Sequence, residues 1–200
     1  MKTGVGLILV GLLLIGCTSP PPQRVDDICD IFDEKRSWYK DVKRSEKRWG
    51  SKIPTLMAIM HQESRFHAKA KPPRTKILWI FPGPRKSSAY GYAQVKDGTW
   101  DEYRKDTNNF WASRSHFDDA VDFVGWYNAQ SRARSGIGLN DTYRLYLAYH
   151  EGHGGYNRGS YNNKGWLKAV ARKVADRSAR YERQLQSCER RFKGPWWWPF

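Results

Sequence analysis

The strongest pattern along the chain is an apolar stripe over residues 54–67, PTLMAIMHQESRFH, which predicts a helix at about 100° per residue. The positions that form the stripe are Leu56, Ile59, Met60 and Phe66. Glu63 falls in the middle of this stripe. Because an ionised carboxylate resists leaving water, burial there would raise the pKa of Glu63 until it can donate a proton near neutral pH. The plainer interpretation places Glu63 at the edge of the stripe, in solvent or paired with a basic residue.

Other segments also carry apolar residues at helical spacing. Residues 25–49 predict an amphipathic helix, whole or broken, that leads into the chain. Ser51 would then cap the helix that carries Glu63, with Pro54 in its first turn. Further helices are predicted from residue 100, over 118–130, over 143–149 and over 165–190, the last with Trp166, Val170, Val174, Tyr181 and Leu185 facing inward.

Glycine and proline mark the loops between these segments. Residues 71–88 hold four prolines, one glycine and the apolar island 77–81, which predicts a hairpin-like or irregular loop. Gly91 lets the backbone approach another group closely, and Gln94 offers both a donor and an acceptor. Residues 150–155, HEGHGG, should break the chain sharply. Because no strand pattern is sustained and no internal repeat occurs, we expect a mainly α fold.

The composition indicates one domain with a basic surface. Two hundred residues, 40% of them hydrophobic and 14% aromatic, are enough for a single core. Lys and Arg number 35 against 20 Asp and Glu, which gives a formal net charge of +15. This charge favours a polyanionic partner, whether nucleic acid, anionic lipid or an acidic cell-wall polymer, and does not choose among them.

The N-terminus resembles a bacterial lipoprotein leader. Lys2 precedes an apolar run over residues 5–15, shorter than the ~20 residues that span a bilayer but suited to a signal peptide. The run ends in LIGC, which resembles a lipobox, so residues 1–16 would be removed and Cys17 would carry a lipid. The alternative is an ordinary signal peptide with an incidental cysteine. Thr18, where Asp would retain a lipoprotein in the inner membrane, predicts the outer membrane, where a nucleic-acid partner is not expected.

The rest of the chain divides into a tether, a domain and a tail. Residues 17–24, CTSPPPQR, would form a lipidated, Pro-rich tether that does not fold, and residues 25–190 the domain. Cys29 and Cys188 would form a disulfide in an oxidising periplasm, worth on the order of 4–5 kcal/mol in the chain-entropy model, unless both are buried thiols. The tail 191–200 is basic and Trp-rich, and could contact lipid headgroups, sugar rings or the domain.

Three short motifs occur along the domain in a recognisable order. They are Glu63-Ser64, residues 91–94 (GYAQ) and residues 148–152 (AYHEG). In this order they resemble the motifs of the soluble-lytic-transglycosylase family over roughly residues 52–180. The resemblance implies a mainly α, lysozyme-like single domain with a substrate cleft. The long spacing between the first two motifs departs from the family pattern.

With the lipobox, the resemblance implies a membrane-bound lytic transglycosylase that acts on peptidoglycan without a cofactor. Glu63 would protonate the glycosidic oxygen between N-acetylmuramic acid (MurNAc) and N-acetylglucosamine (GlcNAc). It would then take a proton from the C6 hydroxyl of MurNAc, which leaves a 1,6-anhydromuramyl end. Ser64 would support Glu63, Gln94 would bind substrate, and Tyr149 would orient Glu63. His150 replaces the family's usual asparagine and would alter substrate contact. The plainer roles are Ser64 bonded to its own helix, Gln94 on the surface and Tyr149 in the core.

Two rival functions remain at this stage. One is a hydrolytic muramidase on the same fold, and the other is a peptidoglycan-binding lipoprotein without activity; no protein partner is indicated. The candidates for the second carboxylate of a muramidase are Asp97, Asp101 and Glu151. No metal site is expected, because His61 and His67 lie ~120° apart around a helix and HEGH lacks the i, i+4 spacing of the helical zinc motif.

Overall fold

The computed structural model describes residues 20–77 and 81–194, and the side chains of residues 76, 77, 81 and 82 are not described. The predicted leader, the predicted lipid attachment site Cys17, the centre of the apolar island and the tryptophans of the tail lie outside these residues. Within the described ranges no helix combines the length and the apolar character needed to cross a bilayer.

The described residues are mostly helical, which confirms the mainly α class. The helices are α1 (Ile28–Glu34), α2 (Arg36–Trp49), α3 (Ile53–Ser64), α4 (Asp97–Asp106), α5 (Phe117–Ser135), α6 (Thr142–Asn157) and α7 (Gly165–Cys188), followed by a 3-10 turn (Glu189–Arg191). Of the two forms predicted for residues 71–88, a hairpin-like or an irregular loop, the structure has the hairpin: β1 (Arg74–Ile77) pairs antiparallel with β2 (Phe81–Arg85).

The structure defines the extent of two predicted helices. Of the two forms predicted for residues 25–49, whole or broken, the broken one occurs, because Lys35 leaves the helical region with φ −121° and ψ 66°. Helix α3 ends at Ser64, because Arg65 and Phe66 both adopt left-handed backbone conformations, with φ 49° and 62°. Phe66 is nevertheless 0% exposed. Its side chain therefore joins the core from the turn after α3, not from the helical stripe.

Two predicted helix starts also need correction. Ser51 does not cap α3, since Lys52 takes the N-cap position and the buried Ser51 hydroxyl accepts a hydrogen bond from Asn128 Nδ2 at 2.9 Å. Helix α4 begins at Asp97, ahead of the predicted start at Trp100.

Helices α6 and α7 differ from prediction near the candidate cleft. The break expected over residues 150–155 is a kink inside α6 at Gly152, where φ 73° and ψ 156° strongly favour glycine. The prediction that Trp166 faces inward is wrong, because Trp166 is 59% exposed and its neighbour Leu167 takes the buried position.

Close packing between helices sets the frame of the domain. A Cβ atom at Gly125 on α5 would lie 2.4 Å from Ser45 Oγ on α2, so only glycine permits this approach. Between α3, α6 and α7, the buried hydroxyls of Thr55, Thr142 and Ser178 lie 2.8–3.3 Å apart. Their mutual hydrogen bonds satisfy three polar groups inside the core.

The first and last helices of the domain are joined covalently. Cys29 on α1 and Cys188 at the end of α7 form a disulfide with 6.0 Å between their Cα atoms. Because the two cysteines are 159 residues apart in sequence, the bond removes much of the conformational entropy of the unfolded chain.

The segment 20–24 packs against the domain. Pro22 is buried, the backbone N–H of Gln23 donates to Glu34 Oε2 at 2.9 Å, and Arg24 pairs with Asp30 at 3.0 Å. This part of the predicted tether therefore lies on α1 and is not free of the domain. We call residues 20–24 the N-terminal strap.

Candidate active site

Glu63 lies near the C-terminal end of α3 and lines a cleft. The cleft has one part of about 850 Å³ and another of about 440 Å³, and Glu63 and Gln94 line both. Ser64 lines the larger part, while Tyr149 and His150 line the smaller one. The structure therefore brings all five predicted site residues to one cleft, although their side chains do not all play the predicted parts.

The surroundings of Glu63 favour its protonated form. Loss of solvation raises the pKa of Glu63 to about 7, and a hydrogen bond with the Tyr146 hydroxyl acts in the opposite direction. This is the direction expected for a carboxyl group within an apolar helix stripe. A carboxyl group with this pKa is populated in both protonation states near neutral pH, so it can donate a proton and later accept one.

Tyr146 is the site residue that the sequence analysis missed. It is buried on α6, and its hydroxyl donates to the Glu63 carboxylate, so burial and the Glu63 charge both raise the pKa of Tyr146. Tyr146 lies three residues before Tyr149, on the same side of the helix. That spacing is the sequence signal that could have identified it.

Tyr149 connects two of the motifs. Its hydroxyl donates to the Ala93 carbonyl oxygen at 2.6 Å, which ties the third motif to the second. Burial, and then the nearby Glu63 charge, raise the pKa of Tyr149. Tyr149 was predicted to orient Glu63, but its hydroxyl holds the backbone beside Gln94, and the tyrosine that bonds to Glu63 is Tyr146.

Gln94 sits in a tight turn with φ 47°. Its Nε2 donates to the carbonyl oxygens of Ala70 and Gly91, at 2.9 and 2.8 Å. Because these two bonds use both N–H groups, the amide oxygen is the part of Gln94 that can bind a ligand. Gly91 is required here, since it has φ 80° and an added Cβ would lie 2.0 Å from the Arg114 carbonyl oxygen.

The hydrogen bonds of Ser64 and His150 are made to groups other than Glu63. The Ser64 hydroxyl donates back to the Met60 carbonyl oxygen at 3.4 Å, which is the plainer role considered for it. His150 Nδ1 lies 3.0 Å from Glu151 Oε1, and the His150 ring meets the Trp166 ring edge to face, with centroids 5.2 Å apart.

Glu151 also lines the smaller part of the cleft. Its side chain is 4% exposed, and Lys164 Nζ lies 2.8 Å from both of its carboxylate oxygens. Burial acts to raise the pKa of Glu151, but hydrogen bonds from Lys164, Ser160 and His150 outweigh it and lower the pKa to about 2. Glu151 is therefore ionised wherever the domain is folded at ordinary pH.

The two other candidates for a second carboxylate do not line the parts of the cleft that contain Glu63. Asp97 pairs with Arg114 at 2.7 Å, and Asp101 pairs with Arg104 at 3.4 Å. Of the three candidates, only Glu151 shares the cleft with Glu63, and it is held in an ion pair.

One group among the described residues has the spacing to hold a metal ion: His116, Asp118 and Asp119 at the start of α5. These side chains are exposed or half-buried, and Asp119 accepts a hydrogen bond from the Ser113 backbone at 2.8 Å. Acidic residues in the first turn are favoured by the helix dipole, which accounts for them without an ion.

Comparison with protein families gives one match, over residues 5–188, to the family described as the Transglycosylase SLT domain. The matched range contains all three motifs and every residue that lines the two parts of the cleft. No curated protein matches the chain at a significant level.

Proposed function

The chain belongs to the transglycosylase SLT domain family, and from that premise we propose that it is a peptidoglycan lytic transglycosylase in which Glu63 is the catalytic acid and base. Family membership supports a mainly α, lysozyme-like domain with a peptidoglycan-directed activity of the lytic transglycosylase type. The observation that carries the finer proposal is that, among the described residues that line the cleft, Glu63 is the one carboxyl group whose pKa is raised, to about 7, by loss of solvation.

The reaction needs this one group twice. Protonated Glu63 donates its proton to the glycosidic oxygen between MurNAc and GlcNAc, the C1–O bond breaks, and the GlcNAc residue leaves with a free hydroxyl. The Glu63 carboxylate then takes the proton of the C6 hydroxyl of MurNAc while O6 bonds to C1. The product is a 1,6-anhydromuramyl end, no water is consumed, and Glu63 is protonated again.

The neighbouring residues act on the position and charge of Glu63 and of the sugar. The Tyr146 hydroxyl donates to Glu63, which stabilises the carboxylate that forms after the first proton transfer. Tyr149 holds Ala93 and so fixes the turn from which Gln94 presents its amide oxygen to the substrate. Ser64 supports the end of α3 through its bond to Met60.

The ion pair of Glu151 supports this reaction over a muramidase. A hydrolytic mechanism needs a second carboxylate that activates water or bonds to the sugar. Glu151 accepts hydrogen bonds from Lys164, Ser160 and His150, which stabilise its charge and reduce its basicity. An internal nucleophile, the C6 hydroxyl, requires no such group.

Product analysis tests the proposal. Purified mature protein is incubated with sacculi and the released muropeptides are weighed by mass spectrometry, with the expected result that their ends are anhydromuramyl. Glu63→Gln should lower release by about 10³-fold while sacculus pull-down persists, and Glu182→Gln, a surface change on α7, should behave like the wild type. Reducing ends would establish a muramidase, and binding without release would establish a scaffold.

The same proposal includes a lipid anchor at Cys17 and a place on the periplasmic face of the outer membrane. The lipobox and Thr18 support this location. Labelled palmitate should enter the wild-type protein and not Cys17→Ala, and the wild-type protein should be recovered in the outer-membrane fraction. Wild-type protein recovered without label, or in the inner membrane, would contradict the anchor or the sorting respectively.

A further inference from the structure

Trp166 is an exposed tryptophan beside His150, a residue that lines the cleft. It lies in the first turn of α7 and is 59% exposed, whereas Val174 and Tyr181 farther along the same helix are buried. A single exposed apolar residue needs no explanation by itself. The contact of Trp166 with His150 makes it informative.

The indole contacts one residue that lines the cleft. Its ring lies 5.2 Å from the ring of His150, at an interplanar angle of 80°, and His150 lines the part of the cleft that contains Glu63. The turn before Trp166 is also held, because Lys164 bonds to Glu151 at 2.8 Å, which itself lines the cleft. Trp166 therefore continues the cleft surface from α6 onto α7.

From this continuity we propose that Trp166 is a stacking platform for one sugar ring of the glycan strand, at a binding subsite beyond His150. A pyranose has an apolar face of C–H groups, and a rigid indole provides a matching flat surface with little loss of side-chain entropy on binding. The identity of the ligand as a peptidoglycan strand rests on the proposed function. The subsite itself requires only a β-1,4-linked amino sugar.

A second exposed tryptophan provides a matched control. Trp111 is 95% exposed in the connection between α4 and α5. Neither tryptophan is among the residues that line the two parts of the cleft, but Trp166 contacts the ring of His150, which does line it. If exposure alone caused sugar binding, Trp111 would contribute at least as much as Trp166. The proposal instead predicts an effect at Trp166 alone.

The test measures binding and does not depend on turnover. In mature protein carrying Glu63→Gln, the dissociation constant for a GlcNAc hexamer is measured by calorimetry for Trp166→Ala, Trp166→Phe and Trp111→Ala. We expect about a tenfold weaker affinity for Trp166→Ala, equivalent to ~1.4 kcal/mol. Trp166→Phe should stay within about threefold of the parent, because an aromatic face remains, and Trp111→Ala within about twofold.

The outcomes separate this subsite from the proposed reaction. Equal affinity of Trp166→Ala and the parent would overturn the subsite, as would an equal loss in Trp111→Ala. Reduced binding to anionic lipid vesicles with unchanged sugar affinity would show that Trp166 contacts the membrane, which also overturns it. If Trp166→Ala loses sugar affinity while wild-type protein gives no anhydro ends, the subsite stands and the proposed reaction fails.

Discussion

Two glutamates line one cleft and have opposite protonation behaviour. Glu63, on the wall formed by α3, has a pKa raised to about 7 by loss of solvation. Glu151, on the wall formed by the kinked α6, has a pKa lowered to about 2 by its hydrogen bonds, although burial acts against this. At a pH between these two pKa values, Glu151 is ionised in most molecules and Glu63 is protonated in most molecules.

The contrast arises from the partners of each carboxylate. Glu63 has the neutral hydroxyl of Tyr146 beside it, whereas Glu151 has an ammonium group, from Lys164, on both oxygens. A neutral donor leaves the group able to exchange a proton, and a cation removes that ability. Presence in a cleft therefore does not identify a catalytic carboxylate, and its partners must be known.

The largest expected effect comes from exchanging each glutamate for glutamine. Glu63→Gln removes the proton donor and should lower the rate of muropeptide release by about 10³-fold. Glu151→Gln removes a charge that exchanges no proton, so it should lower the rate by less than about tenfold. The rates are measured on sacculi, with thermal unfolding to verify that both variants fold. Similar losses of rate in the two folded variants would contradict the different roles assigned to Glu63 and Glu151.

The buried His61, on the same helix as Glu63, tests whether loss of solvation lowers the pKa of a base where it raises the pKa of an acid. His61 is 4% exposed and both ring nitrogens lack a hydrogen-bond partner. Burial comes first among the causes that lower the pKa of His61 to about 4, while Arg177 lowers it further and Asp26 opposes this. The unfolded chain therefore binds a proton below about pH 6.5 that the folded protein binds only below about pH 4.

This difference predicts a loss of stability in acid. As the pH falls from 7.5 to 5, the wild type should lose about 2 kcal/mol of unfolding free energy relative to His61→Leu. Urea unfolding of both proteins at the two pH values measures this difference. Parallel pH dependence in the two proteins would show that His61 is not held neutral.

The sequence predicted the position of Glu63 because helical periodicity needs only local spacing. It also predicted that Gly91 permits a close approach, and the structure identifies the Arg114 carbonyl as the group approached. The sequence did not distinguish Tyr146 from Tyr149, because both lie on one face of α6 and only the position of α3 decides which hydroxyl reaches Glu63.

Two other features depend on tertiary packing in the same way. The left-handed turn at Arg65 and Phe66 contradicts the local helical pattern and is compensated by complete burial of the Phe66 ring. Trp166 continues the spacing of the apolar stripe of α7, but Leu167 takes the buried position in that turn. Periodicity gives the face of a helix and cannot show where its neighbours end.

Removing the Tyr146 hydroxyl should change the pKa of Glu63 and leave its carboxyl group in place. Tyr146→Phe deletes a hydrogen bond that lowers the pKa of Glu63, so that pKa should rise. Because the first step needs protonated Glu63, the alkaline limb of the kcat/KM profile should shift to higher pH, with about a tenfold lower rate at the optimum.

Tyr149→Phe is the matched change. It deletes the bond to Ala93 and leaves the Tyr146 bond to Glu63 in place, so its alkaline limb should shift less than that of Tyr146→Phe. A larger shift in Tyr149→Phe would assign the orienting role to Tyr149 after all.

The smallest expected effect is on the ion pair of Glu151. Lys164→Met leaves a nearly buried carboxylate without its cation and should lower the unfolding free energy at pH 7 by about 1 kcal/mol, since Lys164 itself is partly exposed. The folded pKa of Glu151 lies below its ordinary value, so this stabilisation is present above about pH 4.5 and is lost as the pH falls toward 2.

Chemical denaturation at pH 7 and pH 3 measures this effect. The difference between Lys164→Met and wild type should narrow at pH 3. A difference that does not change with pH would mean that Lys164 contributes through packing and not through charge.

If Cys17 carries the proposed lipid, the N-terminal strap limits how far Glu63 can reach from the membrane. Pro20 and Pro21 line the larger part of the cleft together with Glu63, and only three peptide units separate Pro20 from Cys17. At 3.8 Å between consecutive Cα atoms, these units span at most about 11 Å. A lipid on Cys17 would therefore restrict cutting to the layer of wall nearest the bilayer, and strands deeper in the wall would be out of range.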